Sequence, residues 1–369
     1  MKMPRLKVLF FVGVLSLGWS SGANTSMTGQ PPLPQSAATK TPAVEIDPDT
    51  GEHKISFSVL IYNIAGLPWP IKSGRAKRLA MIADKFAQLR SQGRAPDLVL
   101  LQEAFMDESR DIIQAGGYRN YIAGPRADDV VEGASPDASA DFLDDLRNWR
   151  GETWGKVMNS GLYILSDFPI VGAHKAAFPR RDCAGWDCLA NKGVMMAWVR
   201  IPGVPFPLEV VNTHMNSKGP SSGVDYSRTS AAQKLQLGGM RRLIEQNSDS
   251  DNPLIVAGDF NLKGLPELVE QLKRHSSPRP AQQFSREYCL EAASGCELRL
   301  DVKSATPWLD SNDLQAFDSG RHAHLRPVRV ELIFDEIIDG EPLSDHDGYL
   351  VQYELRWIPE QIPQQTAGL

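Results

Sequence analysis

The sequence predicts a layered α/β protein in which stacked β-sheets are covered by helices, and two observations carry this. Apolar segments of strand length recur along most of the chain, whereas only two stretches show a sustained helical period. A composition of 42% hydrophobic and 23% charged residues over 369 positions is that of a globular protein with a large core. It is not that of a disordered, collagenous or membrane-spanning chain. No internal repeat interrupts the pattern.

The elements follow in order. Lys2, Arg5 and Lys7 precede an apolar run over 8–17 that is too short to span a bilayer, and Ser21-Gly22-Ala23 supplies small residues at a cleavage point. Residues 1–23 are therefore expected to be a removable secretory signal. Residues 24–50, rich in Pro, Thr, Ser and Ala without apolar period, read as a flexible linker. The folded domain is expected over 51–358, with 359–369 as a tail. It opens with Ile55, Phe57, Val59 and Ile61 alternating with Ser56, Ser58, Leu60 and Tyr62, a strand buried mainly on one face. Leu79, Ile82, Ala83, Phe86 and Leu89 then recur at helical spacing over 75–90. Further strands are expected at 97–102, 161–165, 194–201, 208–212, 254–257, 328–334 and 349–356, and a second helix at 231–246. Residues 126–150 break the rhythm with seven acidic side chains against three basic ones. They read as a solvated surface insertion, with a lid over the site as the alternative.

The net charge of −6 provides no overall basic field to collect nucleic acid, although a bound divalent cation would change the local balance. Four cysteines suit an oxidising compartment. Cys183 and Cys188 are five positions apart and Cys289 and Cys296 seven, so local pairing is expected among the three formal pairings. A zinc site is the competing reading, but the spacing is not that of a zinc knuckle and no His cluster joins the cysteines.

Polar residues recur where strands end: Tyr62-Asn63, Gln102-Glu103, Asn212-Thr213-His214, Gly258-Asp259-Phe260-Asn261 and, ahead of the last strand, Leu343-Ser344-Asp345-His346-Asp347. One such residue is usually a cap or turn former, but five sets at strand ends can converge on one cleft. Carboxylates with an amide suit a hard cation such as Mg²⁺, and two histidines supply acid–base groups near neutrality. This is equipment for metal-assisted attack of water on a phosphoester.

Together with Ser160-Gly161-Leu162-Tyr163-Ile164-Leu165-Ser166, this ordered set resembles the endonuclease/exonuclease/phosphatase superfamily over about 55–357. The resemblance implies a four-layered α/β sandwich, two packed β-sheets flanked by helices, with the type I deoxyribonuclease fold. It implies Glu103 as principal Mg²⁺ ligand (Mn²⁺ or another divalent ion being the alternative), with Asn63 and Asp345 completing or supporting the metal shell. His346 would be the general base and His214 would bind the phosphoryl oxygens. Asp259 and Asn261 would orient the phosphate and assist the leaving group. The family's Leu-Asp-Tyr-like strand, whose Asp pairs with the catalytic His, is replaced here by Asn312-Asp313-Leu314-Gln315-Ala316-Phe317. Asp313 is assigned that role, with Asp310 and Asp335 as rivals.

Ala190-Asn191-Lys192-Gly193 looks like the Asn-Lys-Gly element of bacterial neutral sphingomyelinases and of inositol-phosphate phosphatases, in which Lys192 could meet a phosphate oxygen and Asn191 would join it in substrate binding. The alternative is a turn with Gly193 at positive φ and a solvated lysine. The aromatic hairpin by which secreted sphingomyelinases enter membranes has no counterpart in the sequence. The expectation is an exported, periplasmic or secreted Mg²⁺-dependent phosphodiesterase of phospholipase C type, resembling sphingomyelinase. Its substrate would be a phospholipid headgroup, with a peripheral membrane contact, and a monomer is expected. A secreted nonspecific nuclease acting on nucleic acid is the enzymatic alternative. A phosphate- or lipid-binding protein without catalysis is the other, although pure binding would not need the acid–base set.

Overall fold

The computed structural model describes residues 40–275, 283–300 and 310–359. The expected signal at 1–23, the linker up to 39 and the tail beyond 359 lie outside the described residues.

Two mixed β-sheets form the centre. In spatial order the first runs Glu297–Arg299, His324–Ile333, Gly348–Trp357, His53–Asn63, Leu98–Gln102, Tyr163–Ser166 and Asn120–Ala123, with Glu45–Ile46 added on His53–Asn63. The second runs Gln283–Phe284, Asp313–Asp318, Leu254–Asp259, Leu208–His214, Gly193–Val199 and Ile170–Ala177. Each has a parallel pair near its middle, His53–Asn63 with Leu98–Gln102 and Leu208–His214 with Leu254–Asp259, and the first sheet has another at its edge, Glu297–Arg299 with His324–Ile333. The C-terminal ends of the two central pairs are where the polar residues sit.

The period of two explains the layers. Ile55, Phe57, Val59 and Ile61 pack with Leu98, Leu100, Met195, Ala197, Val210 and Ile255 in the core between the sheets. On the outer face of the first sheet, Leu60, Tyr62, Val99 and Leu101 meet Leu79, Ile82 and Phe86 of the helix Arg75–Ser91. On the outer face of the second, Met196, Val211 and Val256 meet Leu237, Met240 and Ile244 of the helix Tyr226–Asn247. The result is a four-layered α/β sandwich, as the superfamily resemblance implied. The first long strand is one-faced only at its start. From Val59 onward both faces are buried, because the helix covers Leu60 and Tyr62.

Three differences from the sequence reading have physical causes. The strand Asp313–Asp318 was not anticipated because it carries Asp313, Gln315 and Asp318. It is nonetheless buried, and Gln315 donates across to Val59 O and Tyr349 O of the other sheet at 3.1 Å each. The second helix starts at Tyr226, five residues before its apolar period, because the inward positions of its first turn are filled by the polar Arg228 and Thr229. The folded part also begins before residue 51. Lys40 pairs with Asp97 at 2.6 Å, Val44 packs against the inter-sheet core and Glu45–Ile46 joins the sheet, so the last part of the expected linker is tied down.

The acidic segment is more than a solvated insertion. Phe142, on the short helix Ala140–Asp144, is buried with Ala184, Ala232 and Leu235. Ser135 N–H and Oγ–H both donate to Asp182, while Val131 O and Gly133 O accept from Arg180 and Arg181. Most of its carboxylates remain exposed, yet its apolar positions and backbone are pinned to the 180–189 loop.

Truncating Phe86, which is fully buried beneath the first sheet, should test the helix layer. Phe86→Ala is expected to lower stability by about 3–5 kcal/mol, read as a shift in the urea unfolding midpoint.

Candidate active site

The two central parallel pairs end side by side, and this juxtaposition assembles the site. Asn63 closes one strand of the first sheet and Glu103 immediately follows its neighbour Leu98–Gln102, while His214 and Asp259 close two strands of the second sheet. The Asn63 amide donates to Asp259 Oδ2 at 2.9 Å and Glu103 Oε1 at 3.2 Å, and its own oxygen accepts from Ala65 N–H at 3.0 Å. Asn63 therefore supports both carboxylates as a donor. One residue further into the sandwich, Gln102 donates to Asn212 Oδ1 at 2.7 Å, and Asn212 donates to Leu101 O and Tyr163 O. These amides staple the sheets together.

Strain marks the same place. Ala65, Glu103 and Asn261 have φ of 48°, 54° and 55°, a region that side chains other than Gly seldom occupy. Asn261 is held by its N–H to Asp259 Oδ1 at 3.0 Å and its amide to Met215 O at 3.1 Å. Gln233 donates to Asn216 O and Asn261 O, and Gln236 accepts from Asn216 N–H and donates to Asp182 O. These glutamines position the loops behind His214 and Asp259. The sequence signal that could have found them is their spacing on an inward helix face.

The two histidines have opposite electrostatics. His346 Nδ1–H donates to Asp313 Oδ2 at 2.8 Å, and its Nε2 lies 3.8 Å from Asp259 Oδ2. Burial opposes charging this ring, but the Asp313 carboxylate and hydrogen bond, with Asp259 and Asp345 behind them, overcome it and raise the pKa to about 10. Asp313 thus occupies the place for which Asp310 and Asp335 were rivals. His214 is fully buried, 3.5 Å from Asp259 Oδ2 and 3.9 Å from Glu103 Oε1. Burial and then the Lys192 charge lower its pKa to about 3, so it stays neutral.

Lys192 is neither solvated nor in a turn. Its ammonium is buried, 3.1 Å from His214 Nε2 and 2.9 Å from Met215 O, and paired with Asp187. Gly193 opens a strand, and a Cβ there would lie 2.2 Å from Ala176 O, so its need for glycine is a close strand approach. Burial works against the Asp187 charge, but Lys192 and the hydroxyls of Ser217 and Ser222 lower its pKa to about 2. Asn191 also has a structural task. Its amide N–H groups go to Arg126 O at 2.7 Å and Asp129 O at 3.0 Å, so it anchors the acidic segment.

Burial raises the pKa of Glu103, and the neighbouring Asp259 and Asp345 add repulsion. Asp345 is more exposed and pairs with Lys72 at 2.8 Å, while Ser344 Oγ–H ties the same turn to Asn63 O. Ligand atoms of Asp259, Asp313 and His346 lie within 4.8 Å of one another. A crowd of carboxylate oxygens lacking thiolates, with Glu103 raised chiefly by burial, fits a hard divalent cation such as Mg²⁺. Beyond Glu103 opens a cleft of about 650 Å³ whose lining includes Phe105, Arg110, Arg126, Asn159 and Tyr163.

Residues 60–275 match the Endonuclease/Exonuclease/phosphatase family. The chain belongs to this family. Sphingomyelinases of Mycobacterium bovis and Mycobacterium tuberculosis are 25% identical to it over 211 residues, covering 56% of this chain and 34% of theirs. The match thus spans about a third of the length of these relatives. Sphingomyelinase C from Streptomyces griseocarneus has the same fold at 19% identity and a TM-score of 0.53, covering 80% of this chain and 99% of that one. Beta toxin from Staphylococcus aureus with bound magnesium ions superimposes with a TM-score of 0.51 at 18% identity, over 81% and 99% of the two chains. D. rerio TDP2 complexed with single strand DNA product gives 0.51 at 16% identity, over 81% and 98%. Both bonds expected from the cysteine spacing are present, Cys183–Cys188 and Cys289–Cys296.

The histidine pKa values have a stability consequence in protein stripped of divalent ions. His346 is raised from 6.5 to about 10, so its contribution is complete below pH 6.5 and is lost as pH rises toward 10. His214 is lowered from 6.5 to about 3, so its contribution is lost as pH falls through that window. Lys156, lowered by burial to about 8, opposes the His346 trend above that pH. Between pH 6.5 and 8 the urea midpoint of chelated protein should therefore fall, and His346→Gln should flatten that slope.

Proposed function

We propose that the protein is an exported, divalent-metal-dependent phosphodiesterase of phospholipase C type, acting on a phospholipid headgroup as a sphingomyelinase does. The observation that carries the hydrolytic part is the His346–Asp313 couple facing Asp259, Glu103 and the His214–Lys192 pair at the joined ends of the sheets. The alignment with mycobacterial sphingomyelinases and the buried Lys192 support the lipid-directed part. The acidic chain supports it over a nuclease, which would benefit from a basic field. Two disulfides support folding in an oxidising compartment.

Neutral His346 accepts a proton at Nε2 from the attacking water, while Asp313 holds the ring through Nδ1 and stabilises the resulting imidazolium. The Lys192 ammonium supplies positive charge for a phosphoryl oxygen, and neutral His214 lines the same pocket without adding charge. Asp259 and Asn261 orient the phosphate and the leaving oxygen; as the P–O bond breaks this oxygen takes a proton from solvent and departs as an alcohol, and His346 returns its proton to solvent. A divalent cation held by Glu103, with Asp345 and Asn63 in support, supplies polarisation of the phosphoryl group when bound.

Sphingomyelin, phosphatidylcholine, plasmid DNA and inositol phosphates, each assayed with Mg²⁺ and with chelator, test the reading. Metal-dependent release of phosphocholine from a lipid supports it, while turnover confined to DNA replaces it with the nuclease. Glu103→Gln should lower turnover by roughly 100-fold or more with the thermal melt retained, and wild-type turnover in this variant would remove Glu103 from the metal site.

The rate should rise with pH through the His346 ionisation, and a bound cation should bring that ionisation below the value of about 10 that holds without metal. Asp313→Asn should retain the fold, cost roughly 10²–10⁴-fold in kcat/KM and move the limb to lower pH. An unmoved limb would mean that Asp313 does not tune the base.

A further inference from the structure

The sequence offers no aromatic hairpin, yet the structure exposes aromatic side chains in two loop groups that adjoin residues of the site. In the first group, Trp149 is 87% exposed, Trp154 59% and Trp186 37%. Trp154 and Trp186 meet edge to face with ring centroids 5.7 Å apart, and the Arg150 guanidinium lies 5.9 Å from the Trp186 ring centroid. Exposed Val157 is tied to this group by its N–H to Leu189 O at 2.8 Å. The patch is joined to the chemistry through one peptide bond. Trp186 points outward while the next residue, Asp187, is paired with Lys192, which touches His214. In the second group Trp69 is 80% exposed and Ile71 is also exposed, in the loop whose Lys72 pairs with Asp345.

Exposing this much indole is unfavourable in water, because each ring removes a large apolar area from solvent when covered. Tryptophan, apolar in body with one N–H donor, is the side chain best suited to the headgroup level of a bilayer. Charge selects the kind of bilayer. The chain carries a net −6, Arg147 beside the patch is paired with Asp145 at 2.6 Å, and exposed Asp225 lies 3.9 Å from the same arginine. A strongly anionic surface would be repelled by the acidic segment, whereas a zwitterionic one would not.

We propose that Trp149, Trp154 and Trp186, with Trp69 and Ile71 of the loop that reaches Asp345, form a docking surface for a zwitterionic phospholipid bilayer, holding the cleft over the headgroups. This rests on the lipid-directed reading of the site and adds to it the surface by which the substrate is met. Binding of this kind depends on apolar burial at the interface, so it should respond to vesicle lipid packing and hardly to salt.

The test is co-sedimentation of the full chain with phosphatidylcholine vesicles, and with vesicles enriched in phosphatidylglycerol, alongside hydrolysis of a soluble nitrophenyl phosphodiester. Wild type should bind phosphatidylcholine vesicles with a partition that changes by less than about twofold when salt rises roughly tenfold. Trp149→Ser combined with Trp154→Ser should weaken partition by about tenfold or more while hydrolysis of the soluble ester continues. Undiminished partition in this variant overturns the proposal, as does binding that needs phosphatidylglycerol and disappears with salt. A parallel loss of soluble hydrolysis also overturns it, because the tryptophans would then act through the catalytic loop. Should the double variant fail to fold, Trp69→Ser with Ile71→Ser carries the same comparison in the second group. The two readings separate cleanly. Wild type that hydrolyses detergent-dispersed phospholipid but ignores vesicles refutes the docking surface alone, while tryptophan-dependent docking without phospholipid cleavage supports the surface and refutes the lipid substrate.

Discussion

A buried amide between two carboxylates holds the site together. Asn63 comes from one sheet and reaches both Glu103, beside it, and Asp259, on the other sheet. Unbridged, those acids would be desolvated charges of like sign, and burial already raises the pKa of Glu103. Hydrogen bonds to charged groups contribute about 1.5–3 kcal/mol each, enough to bias the strand ends toward one arrangement. The bridge can form only because the two central parallel strand pairs finish at the same edge of the sandwich. The apolar inter-sheet core sets that edge, and Gln102 with Asn212 keeps the sheets in register just behind it.

From this frame follows the division of labour between the histidines. Both occupy the same cleft near Asp259, but His346 has Asp313 on its ring nitrogen and is drawn toward the charged form, whereas His214 has Lys192 and is held neutral. Partner sign decides the role, since burial disfavours the charge at both. One ring is thereby drawn toward its protonated form, and the other stays uncharged near neutrality beside the Lys192 ammonium.

The Cys183–Cys188 loop links the His214–Lys192 pair to the surface. Gly185, at a φ of 64°, lets the chain pass so close to Ser222 that a Cβ would lie 2.0 Å from Ser222 O. Glu152 holds the Gly185 N–H at 2.8 Å and is itself clamped by Arg228. Asp187 is directed inward to Lys192 and Trp186 outward to Trp154. The acidic segment braces this loop through Ser135, Phe142 and Asn191, which is why a stretch of surface composition is built into the fold.

The sequence by itself determined the layering and the list of chemical groups. Alternating apolar residues such as Phe57 and Val59 can bury only as strands, the 79–89 period only as a helix, and polar residues at the ends of those strands had to collect at an edge. Tertiary structure alone decided which of those groups meet. Asp313 was ambiguous because its strand is too polar to read as buried, and only pairing with Asp259 across the second sheet places it against His346. Lys192 and Asn191 are adjacent in the chain but were separated by strand geometry, one toward His214 and the other toward the acidic segment. Trp154 and Trp186 are far apart in the chain and meet edge to face only once their loops have folded together. Local periodicity reports which side of an element is apolar, but the partner of a polar side chain depends on distances that exist only once the sheets have packed.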